Sequence, residues 1–599
     1  MLNFRFAVFF IFVLLLAACS SSPKQSQSAA KMSQEVSILS QIDGFLIEQR
    51  YLDAQNALAE IDVYSLSNIE KTRYYWLSAK LAVALGRGTE AITALNAVPP
   101  GGFSELPDID PNAPSFLRAS ALHLQGLFIA SARERMFLSG VLTDELYDQN
   151  HQAIWNSLIQ ADDAETTKLA QNTSTVLFKG WLDLVLIIKR NQIDIDKQLS
   201  QLRLWQAKYK NHPAANKLPG DLDLLEDFVE NKAKYVAIML PLSGKLAVTG
   251  AAVRDGIMAA YYQAKAAGAD VPEIRIYDTS QTSDFWSLYQ QAIADGNELV
   301  IGPLSKQSVT RLQQESRLPV PTLALNYGIR DATENPDLLF QFGLAVEDEA
   351  DLAAVYARHQ GYQNGIALIP KGAWGERVFN RFSETWQAQG GRLIEAQFFT
   401  GKSDYNKVIS KLFAIDDSER RARKLRKQLG TRIEFQARRR DDIDFIFVAA
   451  RPEQARQIKP TLAFNFAKDI PMIATSQIYS GEPSKVKDRD LNTVVFCDIP
   501  WVLENSPLKR QIHTLWPKSK GGLDRLYALG IDAFQLYPRL GQIKVLKNSR
   551  MRGQTGQLAM DRHGQIIRSL PFAVFEKGLA KKIQGYVINA NNQQGSQKY

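Results

Sequence analysis

The stretch VAIMLPLSGKLAVTGAAVRDGIMAAYYQA, Val236 to Ala264, opens on a strand pattern and closes on a helix pattern. Tyr235 to Leu240 is a short apolar run stopped by Pro241, whereas Ala252 to Lys265 spaces its apolar residues as an amphipathic helix does. The alternation continues towards the C-terminus. Strand-like runs at Ile274 to Asp278, Glu298 to Gly302, Pro321 to Leu325, Gly365 to Pro370, Phe445 to Ala449 and Met472 to Thr475 are rich in Val, Ile and Leu and bounded by Gly, Pro or Asp. Helical patterns such as Asp348 to Gln360 and Gly375 to Gln389 lie between them. This order predicts parallel α/β layers. Roughly 340 residues are more than one such sheet organises, so two lobes are expected.

Upstream, the pattern is helical. Phe45 to Asp62 shows Ala54, Leu58 and Ile61, and Tyr75 to Val98 repeats this as Ala91, Leu95 and Val98, each 37 positions later. That spacing fits a helical hairpin near the tetratricopeptide period of about 34 residues, with an irregular helical bundle as the alternative. Further helices are expected at Ser115 to Leu138, Asp144 to Gln160 and Ser174 to Arg190. Leu177 to Ile188 is strongly apolar but carries Lys179 and Asp183, which marks a buried helix rather than a membrane span. NHPAANKLPG, after Lys210, reads as a linker. The expected domains are therefore a helical one over 35–220 and an α/β one over 235–580, with a flexible tail over 589–599.

The N-terminus has a different character. After Arg5 comes FAVFFIFVLLLAA, Phe6 to Ala18, followed by Cys19. At 1.5 Å per residue this run reaches about 20 Å, short of a hydrocarbon core of about 30 Å, so 1–18 reads as a signal peptide. Leu16-Ala17-Ala18-Cys19 resembles the bacterial lipobox, which implies cleavage before Cys19 and lipid attachment on its thiol. Ser20 is not the aspartate of inner-membrane retention, so the implied site is the outer membrane. Residues 19–34, SSSPKQSQSAAKMSQ after the cysteine, read as a flexible tether.

Charge and chemistry narrow the function. The chain has 599 residues and a formal net charge of +8, but Glu419 to Arg440 alone holds ten Lys or Arg against two Glu. The remainder is close to neutral, which gives no basic face for nucleic acid. Two cysteines, Cys19 and Cys497, exclude a disulfide scaffold or a cysteine-ligated metal site. No GxxxxGK[ST], GxSxG or HExxH occurs, and the six histidines lack ligand spacing. The GxGxxA spacing of Gly86, Gly88 and Ala91 joins two helices, the wrong context for a dinucleotide. Cys497, in TVVFCDIP, reads as a small core residue. No catalytic residue, metal or cofactor is assigned.

Val236 to Ala264 resembles the first strand-loop-helix of type I periplasmic-binding-protein folds, and ELVIGPLSKQSVTRL, Glu298 to Leu312, resembles their third. Gly180 to Pro219, together with LALNY (Leu323 to Tyr327), FGLAVEDEADLAAVYA (Phe342 to Ala357) and LYALGIDAFQL (Leu526 to Leu536), resembles the LpoA family. That family comprises outer-membrane lipoproteins that activate a class A penicillin-binding protein, a bifunctional peptidoglycan synthase. The resemblance covers nearly the whole chain. It implies a non-enzymatic regulator of cell-wall synthesis, lipid-anchored and facing the periplasm.

Loops at the carboxyl ends of parallel strands gather at a cleft. Candidate lining residues are Ser243 and Gly244 after the first strand, Ser305 at a helix start after the third, and Asn326 and Tyr327 after the fourth. The alternative is that Ser305 caps its helix and Gly244 permits a turn. Segment 419–440 is expected to be an exposed helix-loop, either simply solvated or in contact with acidic material. Two other function classes stand beside the activator: a solute-binding lipoprotein for a small polar ligand, and an envelope hydrolase with an unrecognised carboxylate pair. A helical extension of about 200 residues favours the activator over the first, and the missing motifs disfavour the second.

Overall fold

The computed structural model describes residues 37–192, 194–220, 222–329, 335–401, 404–430, 434–540, 551–561 and 563–587. The expected signal peptide, the tether with Cys19 and the tail 589–599 lie outside the described residues. The chain divides into two compact units, one running to Gln125 and including Glu134–Gly140, the other made of Gly126–Arg133 and everything from Val141 onward.

The first unit is helical. Tyr51–Ala59, Asn68–Ala84, Gly88–Ala97 and Ala113–Leu124 pack as successive antiparallel neighbours. Ala54, Leu58, Ile61, Leu77 and Leu95 are buried in one cluster, so the apolar positions of the 37-residue repeat do face a core. Val98 is only half-buried because it caps its helix in an extended conformation. Ser67 and Glu70 form a reciprocal capping box at the start of Asn68–Ala84, satisfying two backbone N–H groups that helix geometry leaves orphaned. Gly86 turns the chain at φ +73°, and a Cβ on Gly88 would lie 2.5 Å from the Ala121 carbonyl oxygen. The glycine spacing therefore serves a tight helix-to-helix approach. The single helix expected over Ser115 to Leu138 is two, Ala113–Leu124 and Phe128–Leu138, with Gly126 between them at φ +74°.

In the second unit, β1 (Tyr235–Leu240), β2 (Glu273–Asp278), β3 (Leu299–Ile301), β4 (Arg317–Ala324) and β5 (Asp337–Gln341) form a parallel sheet in the order β2-β1-β3-β4-β5. Strand periodicity splits β1 between two cores. Val236, Ile238 and Leu240 join Val253 and Ile257 of helix Ala247–Ala266, while Ala237 and Met239 join Tyr289, Val309 and Leu312 on the other face. The second sheet contains β6 (Asn364–Pro370), β7 (Arg392–Phe399), β8 (Phe445–Val448), β9 (Met472–Ala474) and β10 (Val495–Cys497), all parallel in the order β10-β9-β8-β6-β7. A small antiparallel sheet follows, of β11 (Met551–Arg552), β12 (Gln557–Met560) and β13 (Ile566–Ser569). Finally β14 (Pro571–Glu576) and β15 (Leu579–Val587) extend the second sheet antiparallel beside β10. Their two-residue turn uses Lys577 and Gly578, both at positive φ, as a turn matching strand twist requires.

Helix Asp524–Leu536 follows β10 and crosses helix Ala247–Ala266 at backbone distance. A Cβ on Gly256 would lie 2.3 Å from the Tyr527 carbonyl oxygen, and one on Gly530 only 2.1 Å from that of Val253. No side chain fits at either point.

Two expected boundaries move. The helices Asp144–Leu158, Asp163–Asn172, Val176–Arg190 and Ile195–Lys208 belong to the same compact unit as the α/β sheets, so the units do not divide at 210–234. Long-range polar contacts explain this. Buried Arg539 donates through Nη2 to the Gln192 carbonyl and to Gln198 Oε1, both at 3.0 Å. Lys232 bridges Asp196 at 2.6 Å and Asp270 at 2.8 Å, and Arg552 reaches Asp163 at 3.0 Å. The α/β region also continues past 580, since β15 ends at Val587. Among the described residues no helix is long and apolar enough to cross a membrane. Val176–Arg190, the apolar helix with Lys179 and Asp183, buries Trp181, and its Gly180 carbonyl accepts from Trp205 Nε1 at 2.9 Å.

Candidate functional site

The loops after β1, β3 and β4 lie side by side because these strands are consecutive neighbours in the first sheet. Ser243 hydrogen-bonds the Asp278 carboxylate, which also accepts from the N–H groups of Leu242 at 2.8 Å and Ser280 at 2.9 Å. Burial pushes that carboxyl up, yet the donors outweigh it and hold the pKa down at about 2. Ser243 thus ties the loop after β1 to the end of β2. Gly244 stands at φ +68° with open space where a Cβ would be. Ser305 accepts from Ser308 N at 3.1 Å and caps helix Lys306–Gln313. Asn326 donates to the Leu304 carbonyl at 2.9 Å and accepts from Tyr327 N at 2.9 Å. Buried Tyr327 donates its hydroxyl to the Ile566 carbonyl at 2.7 Å, joining the first sheet to β13. Asn326 therefore touches the residue before Ser305, and each of the four polar side chains already has partners inside the protein.

A second assembly of polar groups was not anticipated from sequence. Glu349, on helix Val346–His359, accepts from Ser476 N at 2.8 Å and from Ser476 Oγ at 2.9 Å. Nearby, Arg525 grips Asp498 with two bonds of 2.9 and 2.5 Å and also donates to the carbonyls of Ser476 and Tyr479. Burial lifts the Glu349 carboxyl to about 7, against the pull of the Arg568 guanidinium and with Asp498 pushing the same way. Asp498 is also raised by burial, opposed by Arg525. Next in space along Asp524–Leu536, Asp524 accepts from Trp501 Nε1 at 2.7 Å and pairs with His513 at 2.8 Å. Asp532 accepts from Gln554 N, Thr555 N and Thr555 Oγ1 at 2.6 to 2.7 Å, and burial raises it to about 6. Such groups fix loops around β9 and β10 rather than face a reactant, because Glu349, Asp498 and Asp532 are all enclosed. Cys497 is buried as expected; burial pushes its thiol well up, and its Sγ lies 3.8 Å from the Glu349 carbonyl oxygen. The signal in the sequence was an acid placed in an apolar phrase, as in FCDIP or LGIDAFQL.

The basic segment is exposed. Its described part is 419–430, most of helix Ile415–Leu429 and its cap, and the irregular return 434–440; Ala422 is buried and Ala437, Arg439 and Arg440 are half-buried. Among the described residues no group of three His, Cys, Asp or Glu side chains is placed to hold a metal ion.

Helical hairpins ahead of two α/β lobes, each built on a parallel sheet, define the class: a helical region followed in the chain by a two-lobed α/β region. The family follows from the sequence match. The model described as "LppC putative lipoprotein" matches residues 22–578, and the chain belongs to that family. It is 28% identical over 593 residues to "Penicillin-binding protein activator LpoA" of Photobacterium profundum, covering 94% of each chain, and 28% identical over 580 residues to the protein of that name from Vibrio vulnificus, covering 92% of this chain and 94% of that one. Among solved structures, full-length LpoA from Haemophilus influenzae is 20% identical with a TM-score of 0.49, over 93% of this chain and 98% of that one.

Proposed function

We propose that this chain is a non-catalytic lipoprotein, held by a lipid on Cys19 at the outer membrane and facing the periplasm, that binds and activates a class A penicillin-binding protein. The observation that carries the reading is the end-to-end similarity to relatives named penicillin-binding protein activators. An activator acts by differential affinity: it must bind the active conformation of the synthase more tightly than the inactive one, and tenfold activation requires about 1.4 kcal/mol. Solute binding at the first sheet has less support, because Ser305, Asn326 and Tyr327 spend their polar atoms on Ser308, Leu304 and Ile566.

The test is glycan polymerisation by a purified class A synthase with and without this chain. Faster polymerisation at stoichiometric amounts is expected, and an unchanged rate overturns the reading. Anchoring is tested separately: Cys19→Ser should leave the protein out of the outer-membrane fraction, and unchanged fractionation refutes the lipid anchor.

A further inference from the structure

Helix Ile415–Leu429 leaves its lobe halfway along. Its buried residues are Ile415, Ser418 and Ala422, all in the first two turns. The same line continues by helical spacing to Leu425 and Leu429, but these are 46% and 57% exposed. Arg421 flanks this line and Lys424 and Lys427 lie across the helix from it; all three are exposed and, among the described residues, form no ion pair. The acids Asp416 and Asp417 sit in the first turn and the bases Arg426 and Lys427 in the last, so the charges agree with the helix dipole and the projecting end is strongly positive.

The return segment 434–440 connects this helix to a second exposed apolar feature. Arg438 N donates to Ser418 Oγ at 3.3 Å, and Arg439 pairs with Asp469 at 2.6 Å. Asp469 follows a helix end and turn at which Phe464, the last residue of helix Pro452–Phe464, and Phe466 are 74% and 53% exposed. Phe466 stands at φ +59°, which an L side chain rarely adopts, and Asn465 between the two rings is anchored to Asn406 Oδ1 at 2.7 Å. The turn is held so that both rings point outward.

We infer that this face of the second lobe, the projecting helix end with the Phe464–Phe466 turn, docks an acidic patch on a partner protein that also offers an apolar pocket. This rests on the proposed function, and the partner is then the synthase itself. Arginine and aromatic side chains are the residues enriched in protein interfaces. A bilayer surface would call instead for one broad continuous apolar helix face, and here the apolar groups are divided between a helix and a turn with cations among them. Unpaired exposed cations act mainly on encounter, while desolvated leucines and phenylalanines hold the complex once formed.

The experiment is binding kinetics of the full chain on an immobilised class A synthase at low and high salt, for wild type, Arg421→Ser/Lys424→Ser/Lys427→Ser, and Leu425→Ser/Leu429→Ser/Phe464→Ser. The charge variant should associate about tenfold more slowly at low salt and converge on wild type at high salt. The apolar variant should dissociate about tenfold faster with association little changed. All substituted positions are exposed, so equal thermal midpoints are expected and are checked first. Wild-type kinetics in both variants overturn the docking face while leaving the synthase reading intact, and absence of binding by the wild type overturns both. Co-sedimentation with phosphatidylglycerol-containing vesicles that is lost in the charge variant, with synthase kinetics unchanged, also overturns it in favour of a lipid surface.

Discussion

Replacing Glu349 by Gln should change how the stability of the α/β region depends on pH. The wild-type carboxyl is enclosed, accepts two hydrogen bonds from Ser476, and has its pKa raised from 4.5 to about 7, chiefly by burial. Below about 4.5 both folded and unfolded chains keep the proton and the group exerts no pH dependence. Between 4.5 and 7 the unfolded chain releases the proton while the folded one retains it, so stability falls as pH rises; above about 7 the loss is complete. At about 1.4 kcal/mol for each tenfold change in proton affinity, the displacement is worth roughly 3 kcal/mol. Glutamine keeps the geometry, with its carbonyl accepting from Ser476 N and its amide facing Ser476 Oγ, and removes the charge. Urea unfolding of wild type and Glu349→Gln at several pH values from 4 to 8, followed by tryptophan fluorescence, measures the difference. The variant should match wild type near the acid end and exceed it by up to about 3 kcal/mol at the alkaline end. Asp532, raised by burial to about 6, contributes its own slope to both chains and cancels in the comparison. Parallel profiles would mean that Glu349 is ionised in the folded chain throughout and would refute the reasoning.

Arg525→Met leaves Asp498 enclosed without its guanidinium and should cost about 3–5 kcal/mol in urea unfolding, with Asp498→Asn in the same chain restoring part of it. Gly530→Ala forces a Cβ to within 2.1 Å of the Val253 carbonyl, where only backbone movement relieves the clash, and a loss of about 1–3 kcal/mol is expected in the same assay. Limited proteolysis within 210–234 should nick the chain without releasing a fragment, because Arg539, Lys232 and Arg552 bind the helices before the cut to the sheets after it. Separation of the two pieces on gel filtration under native conditions would contradict that.

The core strands of both lobes were legible because Tyr235–Leu240, Asn364–Pro370 and Phe445–Val448 are buried on both faces and so read as continuous apolar runs. Arg392–Phe399 was not, because an edge strand keeps residues such as Glu395 and Gln397 on its half-open faces. Strands β11 to β15 were hidden for another reason: they are antiparallel and glycine-punctuated, β11 to β13 are only two to four residues long, and the alternation of parallel units stops before them. The domain boundary was misplaced because local composition at 210–219 marks a loop, whereas membership of a unit is settled by contacts such as Arg539 to Gln198 that no local pattern announces. At the first sheet the residue types were read correctly as loop residues, and the capping alternative stated for Ser305 describes its geometry. The buried acids were visible only as oddities in apolar phrases, since nothing in one dimension tells which of Asp498, Asp524 or Asp532 will find donors.

The crossing of helices Ala247–Ala266 and Asp524–Leu536 also constrains the order in which this protein is able to form. Gly256 emerges from the ribosome long before Gly530, and between them lie most of both sheets. The face of helix Ala247–Ala266 that carries Gly256 therefore stays uncovered until the chain is nearly finished, and closing so long a loop carries an entropic cost that local contacts do not offset in advance. Truncation after the last strand of the parallel set would accordingly damage the N-terminal lobe, although every residue of its own sheet would still be present.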